Sequence, residues 1–85
     1  MARSLGEIDA LIREEKRLTA LESQTEAWAD GIASGIEPEI MAEAALATAI
    51  GELVREAGAD AALAMLERMR ERVVAGEFDG YRTRH

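Results

Sequence analysis

The side chains of this sequence that come closest to a reactive constellation are glutamates spaced four residues apart. Three such pairs occur, at Glu22 and Glu26, Glu39 and Glu43, and Glu52 and Glu56. Residues four apart share one face of a helix, and carboxylates on facing helices can hold a pair of metal ions. The di-iron carboxylate bundles also use a Glu-x-x-His motif, whereas the single histidine of this chain is its last residue, His85. We therefore expect neither a metal site nor another cofactor.

The sequence also lacks the residues that nucleophilic catalysis requires. The chain contains no cysteine, and its serines have no histidine base other than the terminal His85. No strand is predicted, so no glycine-rich phosphate loop can follow one. We predict that the protein is not an enzyme.

The composition is typical of a small helical protein. The chain has 85 residues, of which 48% are hydrophobic and only three are aromatic, and alanine, glutamate, leucine and arginine predominate. No uncharged run approaches the roughly 20 residues of a membrane span, and the amino terminus lacks the apolar core of a secretory signal. These features predict a cytoplasmic protein without a membrane segment.

A long first helix is predicted over about residues 5–33. Ser4 and Glu7 have the spacing of a capping box, in which the two side chains satisfy free backbone donors at a helix start. One face of this helix carries a mostly apolar stripe that would pack against a neighbour. Its residues recur at spacings of three and four, at Leu18, Leu21, Thr25, Trp28 and Ile32. A break near Thr19 or Ser23 is the alternative to one helix. A continuous helix would be about 43 Å long, so part of it should pack on another subunit.

Two glycine-containing links separate the helices that follow. Ser34 and Gly35 end the first helix, and Pro38 begins a second helix over about 38–57. Gly58 ends that helix, and Asp60 is the predicted N-cap of a third helix over about 61–75. Residues 1–76 should form one helical domain with a tail at 77–85. The predicted fold is all-α, a three-helix bundle that dimerises into a larger helical bundle.

The second helix carries a stretch without charge, residues 44–51, which needs cover on several sides. Small residues at Ala44, Ala47 and Gly51 would let another helix approach closely. Glycine costs about 1 kcal/mol of helix propensity relative to alanine, so Gly51 is expected to lie at such a contact. We predict a homodimer formed through the first and second helices.

Charge is distributed unevenly along the chain. The net charge is −7, yet residues 22–60 hold nine acidic side chains against one basic side chain, Arg55. Such an excess lowers affinity for nucleic acid and favours basic partners, although an acidic face also keeps a small protein soluble. The candidate interaction residues are the acidic and aromatic side chains Glu22, Glu26, Trp28, Asp30, Glu39, Glu43, Phe78 and Tyr81.

Direct reading of DNA is not expected from the helix–glycine–helix segment around Gly58. The amino-terminal end of its second helix, residues 61–65, offers only alanine, leucine and methionine, with no side chain that hydrogen-bonds to bases. Met41, Met65 and Met69 are either ordinary core or an adaptable groove. Phe78 and Tyr81 either fold back as a latch or form a linear element for a partner.

Three hypotheses about function remain after these exclusions. The first is a non-catalytic interaction module, an adaptor or accessory subunit that binds a basic protein. The second is an inhibitor whose carboxylates imitate phosphates and occupy a basic groove of its target. The third is an antitoxin or transcriptional regulator, for which basic side chains of the first helix would have to gather, at Arg3, Arg13, Lys16 and Arg17.

Overall fold

The computed structural model of the protein describes residues 4–81, and that part of the chain is helical. It contains α1 (Leu5–Ala33), α2 (Pro38–Ala57) and α3 (Ala59–Val74), followed by a 3-10 helix at Asp79–Tyr81. No strand occurs between residues 4 and 81. The predicted all-α class with three helices is confirmed. The chain divides within α2 into two compact units, a first unit that ends at Ala42 and a second unit that begins at Glu43.

The first unit begins with a side-chain cap. The Ser4 hydroxyl oxygen accepts a hydrogen bond from the Glu7 backbone N–H at 3.1 Å, and the same hydroxyl lies 3.3 Å from the Glu7 carboxylate, to which it donates. From there α1 covers 29 residues and passes through Thr19 without a break. The hydroxyls of Thr19 and Thr25 donate to the carbonyls four residues earlier, at 3.0 and 2.8 Å, which satisfies both groups inside the helix.

The turn between α1 and α2 is a Schellman motif centred on Gly35. Gly35 has a φ of 89°, a conformation that side-chain-bearing residues rarely adopt. Its N–H donates to the carbonyl of Ile32 at 2.9 Å, and the N–H of Ile36 donates to the carbonyl of Gly31 at 3.2 Å. These two bonds satisfy the last carbonyls of α1 and turn the chain within four residues.

The second unit contains a corner of a single residue, Gly58. Its N–H donates to the carbonyl of Val54 at 2.8 Å, and its own carbonyl accepts from Ala62 at 3.3 Å. The φ of 92° and ψ of 166° at Gly58 allow one residue to end α2 and to serve as the N-cap of α3. The prediction of an Asp60 N-cap is therefore wrong, because α3 already begins at Ala59 and Asp60 lies in its first turn, without a side-chain cap on the helix.

A second Schellman motif ends α3. Gly76, with a φ of 79°, donates to the carbonyl of Val73 at 3.0 Å, and Glu77 donates to the carbonyl of Arg72 at 3.1 Å. The chain then enters the short 3-10 helix. This ending places the residues after α3 back against its last turn.

Burial is slight throughout the described residues. Ala62 is the only one that is buried, at 3% relative exposure. Large apolar side chains remain open to solvent in both units, among them Leu21 at 52% and Leu63 at 62%. Scattered exposed apolar residues are normal, but rows of them on helix faces mark surfaces where other chains bind.

Candidate interaction surfaces

Three carboxylates of α1 form what we call the acidic ridge, consisting of Glu22, Glu26 and Asp30. Their spacing of four residues places them on one face of the helix, about 6 Å apart along its axis. All three are exposed, and within residues 4–81 none of their carboxylates forms an ion pair or a hydrogen bond, although the Asp30 backbone carbonyl accepts from the Ser34 hydroxyl at 2.9 Å. The acidic ridge is thus a row of free negative charges on a rigid element.

Glu39 and Glu43, the other predicted acidic interaction residues, lie on α2. They are also four residues apart and therefore share a helix face. Both are exposed, and neither forms an ion pair with any residue in the described range. Glu39 belongs to the first unit and Glu43 to the second. These two carboxylates are accordingly a separate feature from the acidic ridge.

Trp28 lies on the side of α1 away from the acidic ridge. The helical repeat places it about 200° around the axis from Glu26. It is 39% exposed and continues a seam of partly exposed apolar side chains, with Leu21 at 52% and Ile32 at 37%. The helix thus presents a carboxylate face and an apolar face on opposite sides.

The basic residues of α1 are only partly free. Arg17 donates two hydrogen bonds to the Glu14 carboxylate, at 2.9 and 2.8 Å. These bonds stabilise the charged forms, so the pKa of Glu14 is lowered and that of Arg17 is raised. Arg13 and Lys16 line one shallow depression of about 470 Å³. Arg3, the fourth residue that the regulator hypothesis needs, lies outside the described residues.

An apolar groove of about 630 Å³ runs between α2 and α3 in the second unit. The α2 wall is formed by Leu46, Ala49 and Ile50. The α3 wall is formed by Ala62, Met65, Leu66, Met69, Arg70 and Val73. Arg70 is the only charged side chain among the described residues that line it, and we refer to the feature as the α2–α3 groove.

Met65 and Met69 lie in the α2–α3 groove, whereas Met41 does not. Met41 packs in the first unit against Gly31, where an added Cβ would clash with the Met41 thioether. The adaptable-groove alternative therefore applies to Met65 and Met69, which line a groove, and not to Met41. Gly31, which the sequence analysis did not single out, is the glycine that allows a close side-chain approach.

Of the predicted packing residues, Ala44 and Gly51 lie on the other side of α2 from the α2–α3 groove, about 160° and 140° around the helix from the groove residue Leu46. Ala47 lies at the flank of the groove, about 60° from the groove residue Ile50. All three small residues are exposed, and a Cβ added at Gly51 would meet nothing within 4 Å. Gly51 therefore has no close helix contact with the described residues of the second unit, and its predicted contact with a second copy stays a prediction.

The residues after α3 fold back onto it. The Arg72 guanidinium lies 5.0 Å from the centre of the Phe78 ring, and its Nε donates to the Glu77 carboxylate at 2.7 Å. Phe78 is half-buried in this arrangement. This contact is the latch arrangement for Phe78, whereas the side chain of Tyr81 lies outside the described part of the structure.

No three acidic, histidine or cysteine side chains come together as a metal site in the part of the chain that the structure describes. In the same range, no helix has both the length and the apolar character needed to cross a bilayer. No family model, curated protein or solved structure matches this chain.

Proposed function

We propose that this protein is a small, non-catalytic interaction module that binds a basic protein partner through its acidic ridge. The observation that supports the proposal is the arrangement of Glu22, Glu26 and Asp30, three exposed carboxylates on one helix face without an ion pair in residues 4–81. Unpaired carboxylates keep their full charge available for a cation on another molecule. We further propose that the module is cytoplasmic and acts as a homodimer.

The free charges can be compared with carboxylates that already have partners. Glu14, Glu52 and Glu67 each lie three residues before an arginine with which they form an ion pair. Such pairs at exposed positions contribute little to stability, but they do neutralise the local field. The acidic ridge has no such neighbour in the described part of the chain. Its field therefore extends into solvent, where it accelerates encounters with a basic surface.

Affinity capture with two matched variants tests the proposal. The ridge variant carries Glu22→Gln, Glu26→Gln and Asp30→Asn. The control variant carries Asp9→Asn, Glu56→Gln and Glu71→Gln, which changes the net charge equally at exposed sites that form no ion pair within residues 4–81.

Tagged wild-type protein and both variants are incubated with lysate of the native host, and the captured proteins are identified by mass spectrometry. A basic protein that the wild type and the control variant capture, but the ridge variant does not, is the expected result. Equal capture by all three would mean that the ridge only keeps the protein soluble.

A second candidate function, the acidic decoy, is favoured by the regular spacing of the same carboxylates. A row of negative charges about 6 Å apart on one helix can occupy a groove that normally holds a phosphate backbone. The decoy differs from the adaptor in a measurable way, because duplex DNA or RNA would compete with it for the partner. Competition by nucleic acid at constant salt supports the decoy, and its absence supports the adaptor.

A further inference from the structure

The described residues of the second unit leave the α2–α3 groove uncovered. Leu46 and Val73, which lie on opposite walls, are 55% and 62% exposed, and Met65 is 40% exposed. Among the residues whose burial the structure describes, only Ala62 is buried. An apolar groove between two helices, flanked by charged residues, is the shape into which another helix or helix pair packs.

The sequence positions of the groove residues show how α2 and α3 run relative to each other. Leu46 lies twelve residues before Gly58 and Val73 lies fifteen after it, yet both line the same groove. The two helices therefore run back along each other from the Gly58 corner. The end of the groove farthest from Gly58 is formed by the beginning of the second unit and the last turns of α3.

Opposite charges stand at that open end, one on each wall. Arg70 lines the groove on α3. Glu43 lies on α2 three residues before Leu46 and seven before Ile50, so the helical repeat places it on the groove face. Glu43 forms no ion pair in the described range, and Arg70 has only a 3.6 Å pair with Glu67 between exposed side chains. Both side chains are exposed, and an opposite charge on another molecule can replace the weak contact between Arg70 and Glu67.

We propose that the occupant of the α2–α3 groove is the α2–α3 pair of a second copy of this chain. In a dimer whose two-fold axis runs parallel to the helices, α2 of each copy lies over α3 of the other. The axis preserves height along the helices, so Glu43 of each copy meets Arg70 of the other. The same charged pair forms twice, while the apolar walls cover each other. This inference rests on the self-association included in the proposed function and assigns the face that produces it.

Substitutions at two alanines on opposite sides of α2 test whether the groove face forms the dimer. Ala49 lines the groove, whereas Ala44 lies on the other side of the helix, and both are exposed. Sedimentation equilibrium of the full chain should show a dimer. Ala49→Glu should weaken dimerisation at least tenfold, because it places an unpaired charge in an apolar interface. Ala44→Glu should change the dimer dissociation constant by less than about threefold, as is usual for exposed charges.

A mixing experiment tests the charged pair and distinguishes a contact between copies from one within a copy. Glu43→Arg and Arg70→Glu each place like charges opposite one another in their own homodimers, so each variant alone should dimerise at least tenfold more weakly than the wild type. An equal mixture of the two should form a heterodimer within about threefold of wild-type affinity, because both contacts are then between opposite charges. Far-ultraviolet circular dichroism checks that every variant keeps its helical content.

The outcomes separate this inference from the proposed function. A dimer that Ala44→Glu disrupts and Ala49→Glu does not would overturn the groove assignment and leave self-association standing. A mixture that associates no better than its components would likewise overturn the assignment. A strictly monomeric chain would overturn both the assignment and the self-association. Failure to capture a basic partner would overturn only the proposed function.

Discussion

Alanine substitution at two helical glycines should have opposite consequences for stability, because their surroundings differ. Gly51 lies inside α2, and a Cβ there would meet nothing within 4 Å. Replacing it with alanine should stabilise the protein by about 1 kcal/mol through helix propensity alone. For a domain of this size, that gain raises the melting temperature by roughly 4–8 °C.

Gly31 provides the contrast. A Cβ at this position would clash with the sulfur and the terminal carbon of Met41 and would lie 3.3 Å from its Cγ. The flexible thioether end must rotate away, and the lost packing costs about 1 kcal/mol. This cost offsets the gain in propensity, so Gly31→Ala should be neutral or destabilising. The two substitutions should differ by at least about 1 kcal/mol.

Urea denaturation followed by circular dichroism measures both effects. It should be performed at several protein concentrations, because self-association makes the apparent stability depend on concentration. Met41→Ala removes the obstructing side chain, so Gly31→Ala should become stabilising in that background. Destabilisation by Gly51→Ala at every concentration would refute the reasoning, as would equal stabilisation by both single substitutions. Destabilisation that appears only where the dimer forms would instead place Gly51 at the contact between copies.

Two further predictions concern the Gly58 corner and the Glu14 pair. Gly58→Ala should destabilise the protein by about 1–3 kcal/mol, because alanine rarely adopts the φ of 92° found there. Gly80→Ala is the control. Gly80 has no positive φ and no neighbour within 4 Å among the described residues, so this substitution should be close to neutral in the same melts. Because Arg17 hydrogen-bonds to it, the Glu14 carboxylate should titrate below its ordinary pKa in a carbon-13 NMR experiment. The contribution of the pair to stability is therefore present at neutral pH and is lost as the pH falls through the lowered pKa. Arg17→Gln should restore the ordinary pKa of Glu14, and a titration that this substitution leaves unchanged would show that the pair does not form in solution.

Helix ends could be predicted from sequence where one residue type is required by backbone conformation. Gly35 and Gly76 both have positive φ and both close Schellman motifs. The start of α3 was misplaced because Asp60 resembles an N-cap. The corner at Gly58 needs only one residue, since glycine can end one helix and cap the next. The preferences of side chains for cap positions do not reveal that one residue can do both.

Helix faces were predictable, but which face meets a neighbour was not. The spacing of Glu22, Glu26 and Asp30 places them together on any regular helix, so the acidic ridge follows directly from sequence. The uncharged part of α2 offered two apolar faces. In the second unit, the face with Leu46 and Ile50 lines the groove with α3, and Ala44 and Gly51 face away from it. Periodicity defines both faces but does not choose between them, because the choice depends on the geometry of the Gly58 corner.

Association kinetics with the captured partner tests the central claim most directly. The association rate constants of the wild type, the ridge variant and the control variant are measured by stopped flow over a range of salt concentrations. Screening shortens the reach of exposed charges from about 8 Å at 0.15 M salt to about 3 Å at 1 M.

If the acidic ridge guides the partner, the ridge variant should associate about 3–10-fold more slowly than the control variant at low salt, and the difference should vanish at high salt. Association rates that are equal for the two variants and insensitive to salt would contradict the proposed role of the ridge.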